Sequence, residues 1–481
     1  MIGSGHQMSQ ELLNDLAALA DSAGATVYVV GGYLRDRLLD REPVDLDLLV
    51  EGNAGPFLHL LSRKADFNPV VFSRVEPVTH RVAMGDWLID VSSCKPGGLR
   101  EAMARRDFTI NALAAPLQSE AGDRGHTSLD RPIDPLGGME DLRSGRIRHI
   151  SPIGLDEDPV RLLRAVRLAV ILEGFDLDEG LRREIRNRAS LLTAAPAERI
   201  LAELEVILAS PRAGRGIRMM QELGLLFPIF PELEPLAGLA QNRWHRYDAL
   251  EHTLRCVQEA DSLQLGYPAI LIDARLGVED AEVLKWSALY HDVGKAATQQ
   301  AGADGEIHFY GHEAVSAQLA KQSLARLRVG GRKSERTRVL IENHLRLTLL
   351  SAEEVSSEKA LRRLVHQLKH DTPLLCLLAL ADRRAGGGPD FDHRLARLER
   401  LIARVMGLLI AEGDRVISPT PLLSGEEVMR ILGIGPGPRV GSVLRWLTRL
   451  QVEEKLTRPE DAAELLKSLP QARVLTLEDE P

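Results

Sequence analysis

The chain is poor in cysteine and aromatic residues and has no long apolar run. Its 481 residues hold three cysteines, Cys94, Cys256 and Cys376, scattered and forming no CxxC pair. That pattern excludes a zinc ribbon and points to a reducing compartment, the cytoplasm. The opening MIGSGHQMSQ is polar and lacks a signal peptide's apolar region. The densest apolar stretch, LLCLLALA at Leu374–Ala381, is too short to span a bilayer and suits a buried helix. No membrane role is therefore expected, and no internal repeat is visible. Aromatics make up only 4%, while Leu, Ala, Arg and Glu abound, so the chain should be mostly helical. The net charge of -9 speaks against a uniformly basic nucleic-acid binder, but local basic faces matter more than the sum. What remains is an ordinary soluble composition, 44% hydrophobic and 27% charged, with length for two to four domains.

The chemistry gathers in Val27–Val50, VYVVGGYLRDRLLDREPVDLDLLV. This stretch predicts a strand, a glycine pair, a short basic helix and a second strand. Side chains alternate along a strand, so Asp45 and Asp47 share one face while Leu46 and Leu48 enter the core. Two adjacent carboxylates repel unless a cation lies between them. Magnesium suits hard oxygen ligands and keeps positions for phosphate oxygens. Gly31 and Gly32 offer backbone N–H groups to an anion, and Arg35 lies one helical turn further on. Together these parts suit a metal-bound triphosphate. An amphipathic helix with Leu12, Leu16 and Leu19 precedes them, and strands are expected between Asn68 and Ser92. Asp90 is either a third carboxylate or an ordinary strand-end aspartate.

Arg105, Arg106, Asp107 and Asn111 sit in RRDFTINAL, expected as the start of a helix that turns apolar. Arginine forks suit phosphate, and Asp and Asn suit ribose hydroxyls. Ile133–Ile150 resembles a hairpin and turn. In EDPVRLLRAVR, Pro159 suits a first helical position and makes Asp158 a natural N-cap. Arg161, Arg164 and Arg167 form a basic stripe. An acceptor (Asp158) and a donor (Arg161) one turn apart can read a base edge. Cytosine and adenine present an amino donor beside a ring-nitrogen acceptor; uracil and guanine present the reverse. Such a reader accepts C and A and rejects U and G. The run RREIRNR from Arg182 fits a solvated face.

A later region carries His252, His291-Asp292, His312, His344 and Asp382, each in a helical pattern. Helices can bring such residues onto one divalent metal that activates water, with Lys295 beside it for phosphate. GGGP at Gly386–Pro389 breaks the pattern. A helix to about Ile410 and a helix–turn–helix with a GPGP turn follow, and the final LEDEP is expected to fray.

On VVGGYLRD…DLD, RRDFTINALA, EDPVRLLRAVR and AERILAEL, in that order, the chain resembles the class II tRNA nucleotidyltransferase and bacterial poly(A) polymerase family, with an HD domain behind. The resemblance implies an α+β protein: a DNA polymerase β-like mixed sheet with helices, then an all-α neck, HD body and tail. The corresponding ranges are a catalytic head at 1–150, a nucleotide-selecting neck at 151–240, an HD phosphohydrolase-like domain at 241–388 and an RNA-binding tail at 389–481. It implies Mg²⁺ on Asp45 and Asp47, the catalytic pair. Nucleotide contacts would come from Gly31, Gly32, Arg35, Arg105, Arg106, Asp107, Asn111, Asp158, Arg161, Arg164 and Arg167. A second divalent metal (Mg, Mn, Ni, Co or Fe) would sit on His252, His291, Asp292 and Asp382, with His312 and His344 as further candidates. The implied partners are CTP, ATP and the tRNA 3′ end, and a homodimer is admissible. The reaction is attack of an RNA 3′-hydroxyl on the α-phosphate of CTP or ATP, releasing pyrophosphate.

Two departures matter. Between Asp90 and Arg105 the chain has only VSSCKPGGLREAMA, where many relatives carry a longer loop tied to switching from C to A addition. The short version raises CC-only addition, or work shared with a partner enzyme. The TVYVV before the glycine pair lacks the basic-aromatic signature of many poly(A) polymerases. Poly(A) polymerase is the nearest rival function. An HD phosphohydrolase with an RNA-binding head is a rival of another class.

Overall fold

In the computed structural model the described residues are 4–43, 45–73, 78–118, 129, 131–266, 276–302, 306–353 and 357–469. The expected frayed LEDEP lies outside them. The chain divides into two compact units, residues 1–203 with 219–229 and residues 204–218 with 230–481.

The first unit opens with helix α1 (Ser4–Ala23), which buries Leu12, Leu13, Leu16, Ala17 and Ala20, while Leu19 is only partly covered. Next come β1 (Thr26–Val30), α2 (Gly32–Leu38) and β2 (Asp45–Glu51). They are followed by α3 (Gly55–Ala65), β3 (Val70–Ser73), β4 (Thr79–Met84) and β5 (Trp87–Cys94). The β-branched run TVYVV and the alternation DLDLLVE favour strands, as their residue types predict. The six-stranded sheet has the order β3-β4-β5-β2-β1-β6, with β6 at Ala114–Pro116. β2 and β5 run parallel, and the neighbouring pairs are antiparallel.

Leu46, Leu48, Val50, Ile89 and Val91 are buried on one face. Each such side chain contributes about 1.5–3 kcal/mol, which pins the register, since a one-residue slip would turn the carboxylates inward. On the other face Val30, Leu49, Met103, Ala112 and Ala114 make a smaller core.

Three local expectations change. RRDFTINAL does not open a helix. α4 (Leu99–Ala104) ends before it, Thr109–Asn111 forms one 3₁₀ turn, and the apolar residues continue as β6. Pairing of Val30 with Ala114 decides this, because it gives the buried backbone its hydrogen bonds. Ile133–Ile150 is not a hairpin. It holds helix α5 (Gly138–Arg143), started by Asp134 accepting from the N–H groups of Gly138 and Met139, and then β7 (Arg146–Ile147). β7 pairs in parallel with β8 (Asp176–Leu177). Asp158 does not cap a helix with its side chain. It ends α6 (Pro152–Glu157), whose own cap is Ser151, and α7 (Val160–Ile171) starts beyond it with no side-chain cap.

The second unit is helical among its described residues, apart from a two-residue ribbon pair. The buried helix Thr372–Gly386 contains LLCLLALA as expected, and the next helix runs to Ile417 rather than Ile410. A separate small core, including Leu423, Val428, Val443, Leu447 and Leu466, closes the C-terminal helices. No helix is long and apolar enough to cross a membrane among the described residues.

Candidate active site and metal centre

In the first unit, β2 and β5 set Asp47 directly beside Asp90 in parallel register, on the face that carries Asp45. Asp90 is thus in mid-strand next to the carboxylate pair, and Arg81 holds it through two bonds of 2.8 and 2.7 Å. Gly31 has φ 76°, and a Cβ there would lie 2.2 Å from Asp47 Oδ2 and 2.6 Å from Arg106 NH1. Only glycine lets the backbone pass so close to the carboxylate. A cleft of about 640 Å³ opens over this face, lined by Asp47, Asp90, Arg105, Arg106, Asp107, Arg161 and Arg164 among others.

Not every residue expected at the nucleotide faces this cleft. Arg35 is 7% exposed and bound internally: Nε and NH2 donate to Asp36 at 2.9 and 2.8 Å, and NH1 donates to Asn111 Oδ1 at 2.8 Å. Asn111 Nδ2 in turn donates to Asp107 Oδ1 at 3.0 Å. Arg164 NH1 reaches Asp107 Oδ2 at 3.2 Å, and its Nε donates to Glu203 at 2.9 Å. Arg167 pairs with the same Glu203 at 2.7 Å. The basic stripe is therefore largely neutralised by one buried glutamate. Sequence spacing put Arg35 and Asn111 against the ligand; the structure satisfies their hydrogen-bonding groups with each other. Arg106 remains near the carboxylates, 3.4 Å from Asp47 Oδ2. Asp158 Oδ2 accepts from Arg199 at 2.7 Å and lies 3.8 Å from Arg161 Nε, and Arg161 NH1 and NH2 donate to the carbonyls of Arg106 and Arg105 at 3.5 and 3.2 Å. Asp158 Oδ1 and Arg161 Nε are buried without a hydrogen-bond partner.

Asp36, Arg81, Asp141 and Glu203 carry structure that residue spacing had not assigned. Asp141 is fully buried, accepts from Thr109 Oγ1 at 2.6 Å, and is clamped by Arg146 and Arg148. It ties the 3₁₀ turn bearing Asn111 to α5. A fully buried aspartate in GMEDLR next to RIRHI was a usable signal, since buried acids need cationic partners.

Burial raises the Asp47 carboxyl above its ordinary value; Arg106 opposes this, and Asp90 and Asp45 add to it. A carboxyl whose folded pKa exceeds its unfolded value costs stability once ionised. That cost is absent below the unfolded pKa and complete above the folded one. Asp47→Asn is therefore expected to raise the melting temperature of chelator-treated protein at about pH 8, with the gain shrinking toward about pH 4. Thermal melts across that range check it, and a gain that grew on acidification would contradict it.

The residues present fit a divalent cation. Asp45 and Asp47 project from one strand face, and neighbouring charge raises the cost of leaving them unneutralised.

In the second unit the six expected residues converge from separate helices. His252 lies on Ala249–Gly266, His291-Asp292 follow Val278–Tyr290, and His312 begins His312–Arg326. His344 lies on Gly331–Ala352 and Asp382 on Thr372–Gly386. His252 and His291 are 3.2 Å apart through Nε2, as are His312 and His344 at 3.3 Å. Asp382 Oδ1 is 3.1 Å from His252 Nε2. Lys295 Nζ donates to Asp292 Oδ2 and to Gln241, each at 2.6 Å. Burial pushes His344 down to about 3, helped by His291 and His312. For Asp292 burial works upward, but His291 and Lys295 hold it well below the carboxylate range. The lowered His344 and the ionised Asp292 are in the forms that bind metal, whereas at His291 burial works downward but Asp292 and Asp382 hold it above its ordinary value.

A carboxylate-bearing mixed sheet facing an arginine-lined cleft, with a separate His/Asp centre, defines a metal-dependent nucleotidyltransferase joined to an HD domain. The chain matches the Poly A polymerase head domain over residues 27–96 and 73–148 and the HD domain over 245–387. It also matches the probable RNA and SrmB-binding site of polymerase A over 174–236. It is 36% identical over 374 residues to the A-adding tRNA nucleotidyltransferase of Deinococcus radiodurans, covering 76% of this chain and 78% of that one. It is 33% identical over 447 residues to the CC-adding tRNA nucleotidyltransferase of Thermus thermophilus, covering 91% and 92%. The Thermotoga maritima CCA-adding enzyme solved with tRNA shares the fold, with TM-score 0.59, 20% identity and coverage of 95% and 94%. The chain belongs to the tRNA nucleotidyltransferase and poly(A) polymerase family.

Proposed function

We propose that this protein adds cytidines to the 3′ end of tRNA from CTP, supplying the CC of CCA and leaving the terminal A to another enzyme. The observation that supports base choice is Asp158 beside Arg161, an acceptor next to a donor, with Oδ1 and Nε left without hydrogen bonds. Facing a base, they match the amino group and ring nitrogen of cytosine or adenine and clash with uracil and guanine. The restriction to a single base rests on the connection after β5: only Lys95–Gly98 separate it from α4. That leaves no long loop to rearrange between C and A. The choice of C over A rests on the Thermus relative, named CC-adding and aligned over 91% of the chain, against the Deinococcus relative, named A-adding and aligned over 76%.

Asp45 and Asp47 would hold magnesium, with Asp90 as an adjacent third carboxylate, and the ion would supply charge neutralisation at the triphosphate and the leaving pyrophosphate. Arg105 and Arg106 bind phosphate oxygens from the cleft wall. Asp107 and Arg164 border the ribose side, kept in place by Asn111, Arg35 and Glu203. Gly31 and Gly32 let the backbone approach the carboxylates, and Arg167 braces Glu203. The 3′-hydroxyl attacks the α-phosphorus, its proton goes to water or an adjacent carboxylate, and the bond to pyrophosphate breaks. With the nucleotide fixed by α7 and the carboxylates fixed by β2, much of the gain is orientational.

Asp158→Ala is expected to lose discrimination between CTP and UTP by about ten- to a hundredfold in kcat/KM, mostly through poorer CTP use. Single-turnover assays with each nucleotide measure this. Unchanged CTP preference would sink the base-reading assignment.

A further inference from the structure

Charged side chains stand in one row across the sheet of the first unit. Asp90 on β5 is in register with Asp47 on β2 and, on its other side, with Arg81 on β4. Register partners point to the same face, so Arg81, Asp90 and Asp47 all project from the face that carries Asp45. Arg106 closes the row beyond Asp47, 3.4 Å from its Oδ2. The order along the row is cation, carboxylate, carboxylate, cation.

Neighbouring strands lie about 4.8 Å apart, which brings Asp47 and Asp90 close enough to share one cation. The fork of Arg81 opposes this from the far side. Its Nε donates to Oδ1 at 2.8 Å and its NH2 to Oδ2 at 2.7 Å, so both oxygens of Asp90 are engaged from β4, the strand farther from Asp45 and Asp47. A bidentate guanidinium–carboxylate pair is among the stronger charge-assisted contacts, and it fixes the plane of the carboxylate. The pair is partly shielded from water, with the Arg81 and Asp90 side chains 33% and 18% exposed. An ordinary cross-strand ion pair adds a little to sheet stability. This one also neutralises a carboxylate that stands beside the expected metal ligands.

That neutralisation bears on the metal. Affinity for a hard cation rises with the number of charged carboxylates around it. Two carboxylates hold magnesium weakly and leave positions for water and phosphate oxygens. A third tightens the bare site and takes one of those positions.

We propose that Arg81 is a positioning residue that withholds Asp90 from the metal, so that the head binds its cation weakly until a nucleoside triphosphate supplies the remaining oxygens. This rests on the assignment of the cation to Asp45 and Asp47.

Mn²⁺ binding to the full-length chain tests it, in a parent carrying His291→Ala and Asp292→Ala to remove ligands of the HD unit. Without nucleotide, Arg81→Gln should bind Mn²⁺ about tenfold more tightly than the parent, and saturating Mn²⁺ should raise its melting temperature more. Arg81→Gln with Asp90→Asn deletes the pair at constant net charge and should return the affinity to within about twofold of the parent. The gain in CTP affinity at saturating Mn²⁺ should be about tenfold smaller in Arg81→Gln than in the parent. Unchanged nucleotide-free affinity in Arg81→Gln would overturn the withholding. So would a tenfold loss in the double variant, which means that Asp90 already binds the ion, and this decides the point even where Arg81→Gln is unstable. Equal coupling to CTP would overturn the nucleotide dependence. Retention of Mn²⁺ by Asp45→Ala with Asp47→Ala would instead sink the metal assignment itself, and this proposal with it.

Discussion

Replacing Asp45 and Asp47 together with alanine is expected to abolish nucleotide addition, by about 10³-fold or more, while the protein stays folded. The fold should tolerate the change because both carboxylates point out of the sheet: Leu46 and Leu48 between and beyond them are fully buried, whereas Asp45 is exposed and Asp47 partly so. The catalytic loss follows from charge. Metal binding at a transferring phosphate contributes several kcal/mol in the transition state, and each ~1.4 kcal/mol is tenfold in rate. Arg106, 3.4 Å from Asp47, would then face the cleft without its carboxylate, so residual nucleotide binding should survive or tighten. Rapid-quench assays with CTP and tRNA measure the rate, and nucleotide titration measures the binding. His291→Ala with Asp292→Ala is the matched control. It should remove metal from the HD unit and leave addition intact, since the two centres use no residue in common.

The second large effect lies away from the reacting atoms. Glu203→Ala is expected to destabilise the unit that carries the head by about 1–3 kcal/mol. Glu203 is 6% exposed and accepts ion pairs from both Arg164 and Arg167. Its removal leaves two partly exposed guanidinium groups and one remaining carboxylate, Asp107, which Arg164 already shares with Asn111 and the Phe108 N–H. That chain continues through Asn111 and Arg35 to Asp36, so loosening Glu203 should also weaken CTP binding. Glu203→Gln keeps the shape and one acceptor and should cost less. Denaturant unfolding of the three proteins checks the order. Equal stability of Glu203→Ala and wild type would mean the arginines find water or other partners.

The two strands and the glycine pair were legible because their signals are local. The period-two alternation of DLDLLV and the β-branched TVYVV each lie within one element, and the glycine pair separates them. The HD residues were legible through type, since His and Asp in buried helical patterns have few other uses. What escaped depends on partners far away in the chain. RRDFTINAL has the composition of a helix start, but Ala114 pairs with Val30, and nothing near position 114 announces it. Arg35 sits where a phosphate ligand would, yet its partner Asn111 is 76 residues on. Pro159 does suit a helix entry, but α6 ends at Glu157 and leaves Asp158 between two helices, with its Oδ2 held by Arg199 and its Oδ1 without a hydrogen-bond partner. The basic stripe of α7 was visible as a stripe; that Glu203 neutralises it appears only when α7 and the helix at Ala197–Ala209 are placed together.

Sequencing the products of a tRNA reaction tests the central claim most directly. Transcripts ending before, within and after CCA are incubated with CTP and ATP together, and their 3′ ends are read. The account predicts two cytidines on transcripts that lack CCA, one on those ending in a single C, and none on complete ends, with no adenosine incorporated. Long adenosine tails on unrelated RNA, with CTP unused, would contradict it.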